Sequence, residues 1–496
     1  MTSDKQLTSD LQRLPLEPLF EPAGVVVAGA SSHPGKFGFA VLHNIITCGY
    51  QGRIFATNRN GGTLLGIDCL TSVADVPAGQ ADLVYVCVPA SAVADVLRDA
   101  ASVGIRAAFI ASSGFGEGND EAGAAHGAEL VVLAEELGMA IAGPNGQGLV
   151  STPASLCAQF VGPFPPAGGV SIVSQSGNLA SGAMNYAAAS GVGVARAISA
   201  GNATCLGVDD YIGWLADDPA TTAIVAYIEG VADARRFYET VKRATTHKPV
   251  VVVKGGTSDE GARAAASHTG SLATNDRIFD GMLRQAGVWR SPDIGAAFGA
   301  AAALAVHEPM RGPNVAFLTT AGGWGVLTAD AMADSPVRLM DLPDDLMDSL
   351  DQVMPPRWSK GNPIDVAGGE TRDTIPDALH LIAAHPSVDG VLMLGMGIQS
   401  NTAALMRRGQ FSDFEDIDRI CSFHERQDRR YAEAIVEASA AAGTPILAAT
   451  ELALSNPENP GPATLREHGH PCYTSPAEAV AAFSALYARG KHLRLP

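Results

Sequence analysis

Apolar residues in this chain gather in short continuous runs and seldom alternate with polar ones. GRIFATN, ADLVYVCVP, IRAAFIASSG and MAIAGPN occupy the first third. VARAISAG, TAIVAYIEG and KPVVVVKGG follow in the second, and DGVLMLGMG and TPILAAT in the last. Strands buried on both faces read this way, whereas a strand with one wet face alternates. Longer helical stretches separate the runs, so the pattern predicts parallel sheets covered by helices on both sides. A slower rhythm overlies it. The segments VVVAGASSHPGKFG, VSIVSQSGNLASGAMNYAA and VAFLTTAGGWGVLTADAMA each pass from a β-rich run through a Gly/Ser turn into a helix. They start at Val25, Val170 and Val315, 145 residues apart each time. Their sequences differ, which predicts three α/β domains and no copied repeat. Pro and Gly cluster in QFVGPFPPAGG and HEPMRGPN, and the expected domains are 1–150, 151–308 and 309–496.

The length agrees: 496 residues fill about three domains at roughly 150 residues each. A formal charge of −19 speaks against nucleic acid or an anionic membrane surface as partner, since both need basic patches. Small anions stay open, because backbone N–H groups can hold them. The seven cysteines form no CxxC pair, so neither a zinc cage nor a disulfide framework is expected. The polar start MTSDKQLTSDLQRL lacks an apolar signal core, and IGAAFGAAAALAV is too short for the ~20 residues that span a bilayer. A soluble, cytoplasmic protein is expected.

In doubly wound sheets ligands bind beyond the carboxyl ends of the strands, so the turns after the strands carry the candidate chemistry. In VVVAGASSHPGKFG, Gly29 ends a strand and Gly35 and Gly38 open the next helix, a geometry that lets backbone and helix N-terminus approach a phosphate. The spacing is not the G-x-G-x-x-G of dinucleotide enzymes. After the second strand stands Asn58-Arg59-Asn60, where an NAD enzyme carries an acid; an arginine there suits an extra ribose phosphate, as in NADP or coenzyme A. A purely structural turn explains the glycines as well. SQSGNLAS places Ser174, Gln175, Ser176 and Gly177 before a helix, fit to hold a phosphate or simply to cap the helix with serine. A nucleophile elbow would need G-x-S-x-G, and the flanks of Ser176 do not provide it. TTAGGWG and GNPIDVAGG, with Asn362 and Asp365, read equally well as core turns or as surfaces facing a ligand or another subunit.

His268, in RAAASHTGSLA, has no second ligand at metal spacing and no cysteine or histidine beside it. By spacing it reads as an ordinary loop residue. Glu229, ending the strand TAIVAYIEG, offers an alternative: a carboxylate that accepts from one imidazole nitrogen fixes the tautomer and leaves the other nitrogen nucleophilic. A neutral ring at pH 7 can then accept a phosphoryl group. Glu229 could equally cap the following helix.

Taken in order, GASSHPGKFG, GPNGQG, SQSGN, SAGN, DDPATTAIVAYIEG, KPVVVVKGG and ASHTGSLA resemble the α subunit of the NDP-forming acyl-CoA synthetases. That superfamily includes succinyl-CoA synthetase and ADP-forming acetate–CoA ligase. NPIDVAGG and SPAEAVAAFSALY resemble the third α domain of the ADP-forming branch, and the likeness runs from about residue 18 to 488. It implies a Rossmann-like CoA-binding domain followed by two flavodoxin-like domains. It also implies that His268 is transiently phosphorylated, that Glu229 hydrogen-bonds to it, and that Ser174, Gln175, Ser176 and Gly177 hold the phosphoryl group. Gly29, Ala30, Ser31, Lys36 and Gly38 match the family's CoA loop, with Asn58 and Arg59 beside it, and Asn145 lies near the acyl site. The implied reaction joins a carboxylic acid to CoA through an acyl phosphate, with ATP or GTP renewing the phosphohistidine; dividing the dehydration into transfers lowers each barrier.

Three departures qualify the match. No ATP-grasp segment is recognised, so a separate ATP-grasp β subunit, which would bring ATP/ADP and Mg²⁺, and an α/β hetero-oligomer are expected. GPNGQG replaces the family's GPN-(Cys or Ser)-x-G: Gly146 is expected to open space and Gln147 to add a polar group, favouring an acid larger than acetate or succinate. TNRNGG replaces a VNP-type sequence beside the CoA loop. Two other readings remain: a non-catalytic CoA or acyl-CoA-binding regulatory protein of the same fold, and an NADP oxidoreductase, which the missing G-x-G-x-x-G disfavours.

Overall fold

A computed structural model describes residues 14–117, 121–263, 275–410 and 412–495. Every apolar run named above forms a strand, and the strands assemble into three sheets in chain order. The first sheet has seven strands, with Gly24–Ala28 at its centre between Arg53–Thr57 and Leu83–Val86, all parallel. The second also has seven; Ala167–Ser174 lies between Val194–Ser199 and Ala223–Ile228. The antiparallel pair Gly148–Ser151 and Leu156–Gln159 closes one edge of that second sheet. The third has six strands, with Asn314–Thr319 between Gly390–Leu394 and the short strands Arg338–Leu339 and Ile364–Asp365.

Strands Gly24–Ala28 and Val250–Lys254 are buried at every position, as expected of sheets covered on both faces. The consequence for function is topological. In each sheet the strand that leads into a glycine turn has neighbours on both sides reached by opposite crossovers. Such a switch point leaves a crevice at the strand's carboxyl end. All three glycine turns therefore sit at crevices, a placement that sequence spacing alone does not give.

The sheets are joined by packing and by one buried charge cluster. Helix Phe37–Thr47 lies on strand Leu156–Gln159; the Asn44 amide donates to the Gln159 carbonyl at 2.8 Å, and Phe37 stacks on Phe160 with ring centroids 3.9 Å apart. Arg196, 1 % exposed, reaches Asp218 at 3.3 Å and also bonds Ser151 and Glu21. Helix Ile294–Val306, the longest apolar stretch, packs against the C-terminal helix Pro476–Leu493, tying the second unit to the third. No helix among the described residues is long and apolar enough to cross a membrane.

Candidate functional site

The turn after Ala167–Ser174 is built by its serines. The Ser174 hydroxyl donates to the Ser176 carbonyl at 2.6 Å and accepts from the Ser176 N–H at 3.1 Å. Ser176 is the N-cap of helix Gly177–Ser190, yet its side chain makes no capping bond. The serine-cap alternative is therefore not what the hydroxyls do: one shapes the turn, and the other leaves the helix start uncapped, where N–H groups and the helix dipole favour an anion. Gln175 turns the other way. Its Oε1 accepts from the Glu229 N–H at 2.6 Å and the Gly230 N–H at 3.2 Å, and its Nε2 donates to the Gly230 carbonyl at 3.1 Å. The turn is thereby fastened to the end of the neighbouring strand.

Glu229 is 7 % exposed, and among the described residues its Oε2 has no hydrogen-bond partner. Behind it the Lys254 ammonium donates to the Glu229 carbonyl at 2.8 Å and lies 5.6 Å from the centre of the Phe279 ring. Burial holds the Lys254 pKa below its ordinary value, partly offset by Asp276 and Glu229. Tyr227 faces the same carboxyl; burial first, and then the Glu229 charge, push its phenol up to about 12. A buried carboxylate oxygen without a donor costs free energy unless something supplies one. Glu229, Gln175 and Asn202 line one cavity of about 490 Å³ with Thr204, Asp233 and Arg236. His268 lies outside the described residues; the described helix Asp276–Gln285 starts just beyond its segment.

Asn145, Gly146 and Gln147 converge on the same crevice from the first sheet. Asn145 adopts φ +60°, a left-handed value that asparagine tolerates, and its amide donates to Asn202 at 3.2 Å. Asn202 in turn donates to Glu117 at 2.7 Å. Burial would raise the Glu117 pKa, but N–H groups of its own turn and the Asn202 amide hold it below the usual carboxylate range. Gln147 donates from Nε2 to Asn178 at 3.0 Å, and its buried Oε1 has no partner among the described residues. Its backbone is held by the Ser199 hydroxyl at 3.0 Å and the Tyr85 hydroxyl at 3.1 Å. Gly146 corrects one expectation. A Cβ there would stand 2.6 Å from both the Phe109 ring and the Ser199 carbonyl. The glycine permits a close approach of backbone and ring and does not itself open space.

The expected CoA residues form a second group, at the first switch point. Gly29 has φ +86°, and a Cβ at Gly38 would come within 2.2 Å of the Gly29 carbonyl, so strand end and helix start touch through backbone alone. Ala30 accepts the Asn58 amide at 2.7 Å, and the Ser31 hydroxyl accepts the His33 N–H at 3.1 Å. Lys36 caps helix Phe37–Thr47 without a side-chain bond. The uncapped start and the bare backbone fit a phosphate-bearing ligand. Arg59 stands exposed beside it. At the third switch point the structural alternative explains Asn362, whose side chain accepts from the Phe317 N–H at 2.9 Å and donates to the Met340 carbonyl at 2.9 Å. Sequence reasoning missed Tyr227, Lys254, Asn202 and Glu117. Lys254 left a signal as a charge closing the apolar run VVVV, and Asn202 as the last residue of SAGN.

Three family models match the chain in series: a CoA binding domain over residues 24–152, a succinyl-CoA ligase like flavodoxin domain over 167–304, and a ligase-CoA domain over 315–405. The chain is 35% identical to the acetate–CoA ligase [ADP-forming] I subunit alpha of Pyrococcus furiosus, covering 95% of this chain and 97% of that protein. It is 33% identical to the acetate–CoA ligase [ADP-forming] I of Archaeoglobus fulgidus, but spans only 54% of that longer protein. The dinucleotide forming acetyl-coenzyme A synthetase 1 of Ca. Korarchaeum cryptofilum, solved in complex with phosphate and ADP, superposes with a TM-score of 0.82 at 30% identity, over 97% of this chain and 98% of that one.

Proposed function

The chain belongs to the ADP-forming acyl-CoA synthetases, a family of acid–thiol ligases, and from that membership we propose that it is an α subunit working through a phosphohistidine at His268. The observation that carries the proposal is the buried Glu229 carboxylate, whose Oε2 has no donor among the described residues, at the crevice where helix Gly177–Ser190 starts uncapped. An imidazole N–H supplies that donor, and the helix start offers the countercharge for a phosphoryl group on the other ring nitrogen.

In this reading the substrate carboxylate attacks phospho-His268 and leaves as an acyl phosphate; the neutral ring remains on Glu229. The CoA thiol, giving up its proton, then attacks the acyl carbon; the carbon–oxygen bond to phosphate breaks, inorganic phosphate leaves, and acyl-CoA forms. The backbone turn from Gly29 to Gly38, with Lys36, Asn58 and Arg59, holds CoA. Asn145 and Gln147 orient the acid. ATP and Mg²⁺ are assigned to an ATP-grasp partner subunit. That assignment is supported by the end-to-end likeness to a protein named subunit alpha and by the half-length match to a single-chain relative. The functional units are assigned as 1–150, 151–308 and 309–496. The seven free thiols fit a reducing cytoplasm.

The test is a panel of organic acids offered to the chain together with an ATP-grasp partner, ATP and CoA. The proposal expects acyl-CoA, ADP and phosphate in equal amounts for at least one acid. Tight CoA binding with no turnover for any acid would instead mark a CoA-binding regulatory protein.

A further inference from the structure

A second cavity lies between the second and third sheets, lined by the C-terminal helix Pro476–Leu493, by Trp289 and by the turn at Gly287. Its volume is about 560 Å³, within the range of small-molecule sites. It is separate from the crevice described above. Val250 borders it at one end of strand Val250–Lys254, whereas Lys254 meets Glu229 at the other. Three residues of strand separate them, a span of roughly 13 Å.

Its charge runs against that of the chain. Asp280 is the acid in its lining, and it is already shared between Arg284 at 2.9 Å and Arg290 at 3.3 Å; Asp276 takes Arg290 at 2.7 Å. Those four groups balance. Arg489 and Lys491 remain. Arg489 is only 7 % exposed, and its guanidinium donates to the Thr245 carbonyl. Among the described residues no carboxylate pairs with it. Burial holds its pKa below the ordinary arginine value. Lys491 lies 5.5 Å from the centre of the Tyr487 ring, and His492 lines the same cavity, its pKa held below the ordinary value by burial and by Arg489. A buried guanidinium without a counter-ion is expensive, in a protein that carries −19 overall. The rest of the lining includes apolar groups, Val288, Trp289, Leu304 and Ala485.

We propose that this cavity binds a small organic anion, with its carboxylate or phosphate head on Arg489 and Lys491 and its apolar body against Trp289 and Leu304. A charged head meeting the buried Arg489 and the exposed Lys491 gives strong, directional bonds, while the apolar part of the lining suits an organic body. Asp280 and Arg284 lie on helix Asp276–Gln285, so an occupant touches the helix that follows the His268 segment in the chain.

Two probes test it on the full-length chain by Trp289 fluorescence: phenyl phosphate and benzoate, with uncharged benzyl alcohol as control. At least one charged probe should give a saturable change that disappears in Trp289→Phe. Its affinity should fall about tenfold or more in Lys491→Ala and in Arg489→Gln, the loss of one charge-assisted bond. Lys491 is exposed, so its variant decides the matter if Arg489→Gln does not fold. Response to one charged probe but not the other identifies the head group. No saturation with either by about 10 mM, equal binding of benzyl alcohol, a signal that survives Trp289→Phe, or unchanged affinity in Lys491→Ala would each overturn the proposal.

Discussion

The first residue of helix Gly177–Ser190 touches the amide of a glutamine thirty positions earlier in the chain: a Cβ on Gly177 would stand 2.2 Å from Gln147 Cδ. The GPNGQG and SQSGN turns are therefore one construction. Glycine at 177 is required by the side chain that crosses it, and that side chain reaches on to Asn178 at 3.0 Å.

Gly177→Ala tests this. The Gln147 amide can swing away, so the stability cost should stay near 1 kcal/mol, at the low end for overpacking. Acyl-CoA formation should fall much further, because the Gln147–Asn178 bond breaks and the helix start is crowded. Adding Gln147→Ala should restore the melting temperature of Gly177→Ala and leave activity low. Strictly additive stability effects in the double-mutant cycle would show that the two residues do not interact.

Glu229→Gln keeps the shape of the crevice and removes the charge. Turnover should drop by about a hundredfold or more, as when an orienting carboxylate is replaced by its amide. CoA affinity, measured by calorimetry, should not change, since the Gly29 to Gly38 turn belongs to another sheet. A parallel loss of CoA binding would place Glu229 in a general structural role.

Arg196→Met should destabilise the fold by about 3–5 kcal/mol, because it strands the buried Asp218 carboxylate. Denaturant unfolding measures it. Arg196 is 1 % exposed and links the second sheet to Glu21 near the start of the described chain. A cost under about 1 kcal/mol would mean that the cluster is dispensable.

His307 gives the protein an acid-sensitive point. It is buried beside His470, with ring centroids 5.3 Å apart, and among the described residues its Nε2 has no partner. Burial first, and then His470, push its pKa down to about 3 from an unfolded value of 6.5. The native state therefore favours the neutral ring. Its contribution is complete above the unfolded value and is lost as pH falls from about 6.5 toward 3, at up to about 1.4 kcal/mol per pH unit. His307→Gln should flatten the stability profile between pH 7 and 5 in urea titrations. An unchanged slope would assign the acid sensitivity to other groups.

Strand content and the three-sheet plan were legible because parallel strands buried on both faces write themselves as unbroken apolar runs, as in VVVV before Lys254. The glycine turns were legible as candidates, but their placement at switch points depends on crossover directions that no local window contains. Contacts between turns far apart in the chain were not legible at all. Gln147 against Gly177, Gln175 on Glu229 and the Asn145–Asn202–Glu117 relay join residues between 30 and 85 positions apart, and spacing holds no trace of them. Gly146 shows the opposite error: a small residue was read as open space, although Phe109 and the Ser199 carbonyl already fill it.

The central claim is that His268 carries the phosphoryl group. Incubating the chain with its ATP-grasp partner, Mg²⁺ and γ-labelled ATP should leave one acid-labile, base-stable phosphate per chain, mapped by mass spectrometry to RAAASHTGSLA and absent from His268→Ala. Acyl-CoA synthesis by a His268→Ala variant, or label that persists in it, would contradict the account.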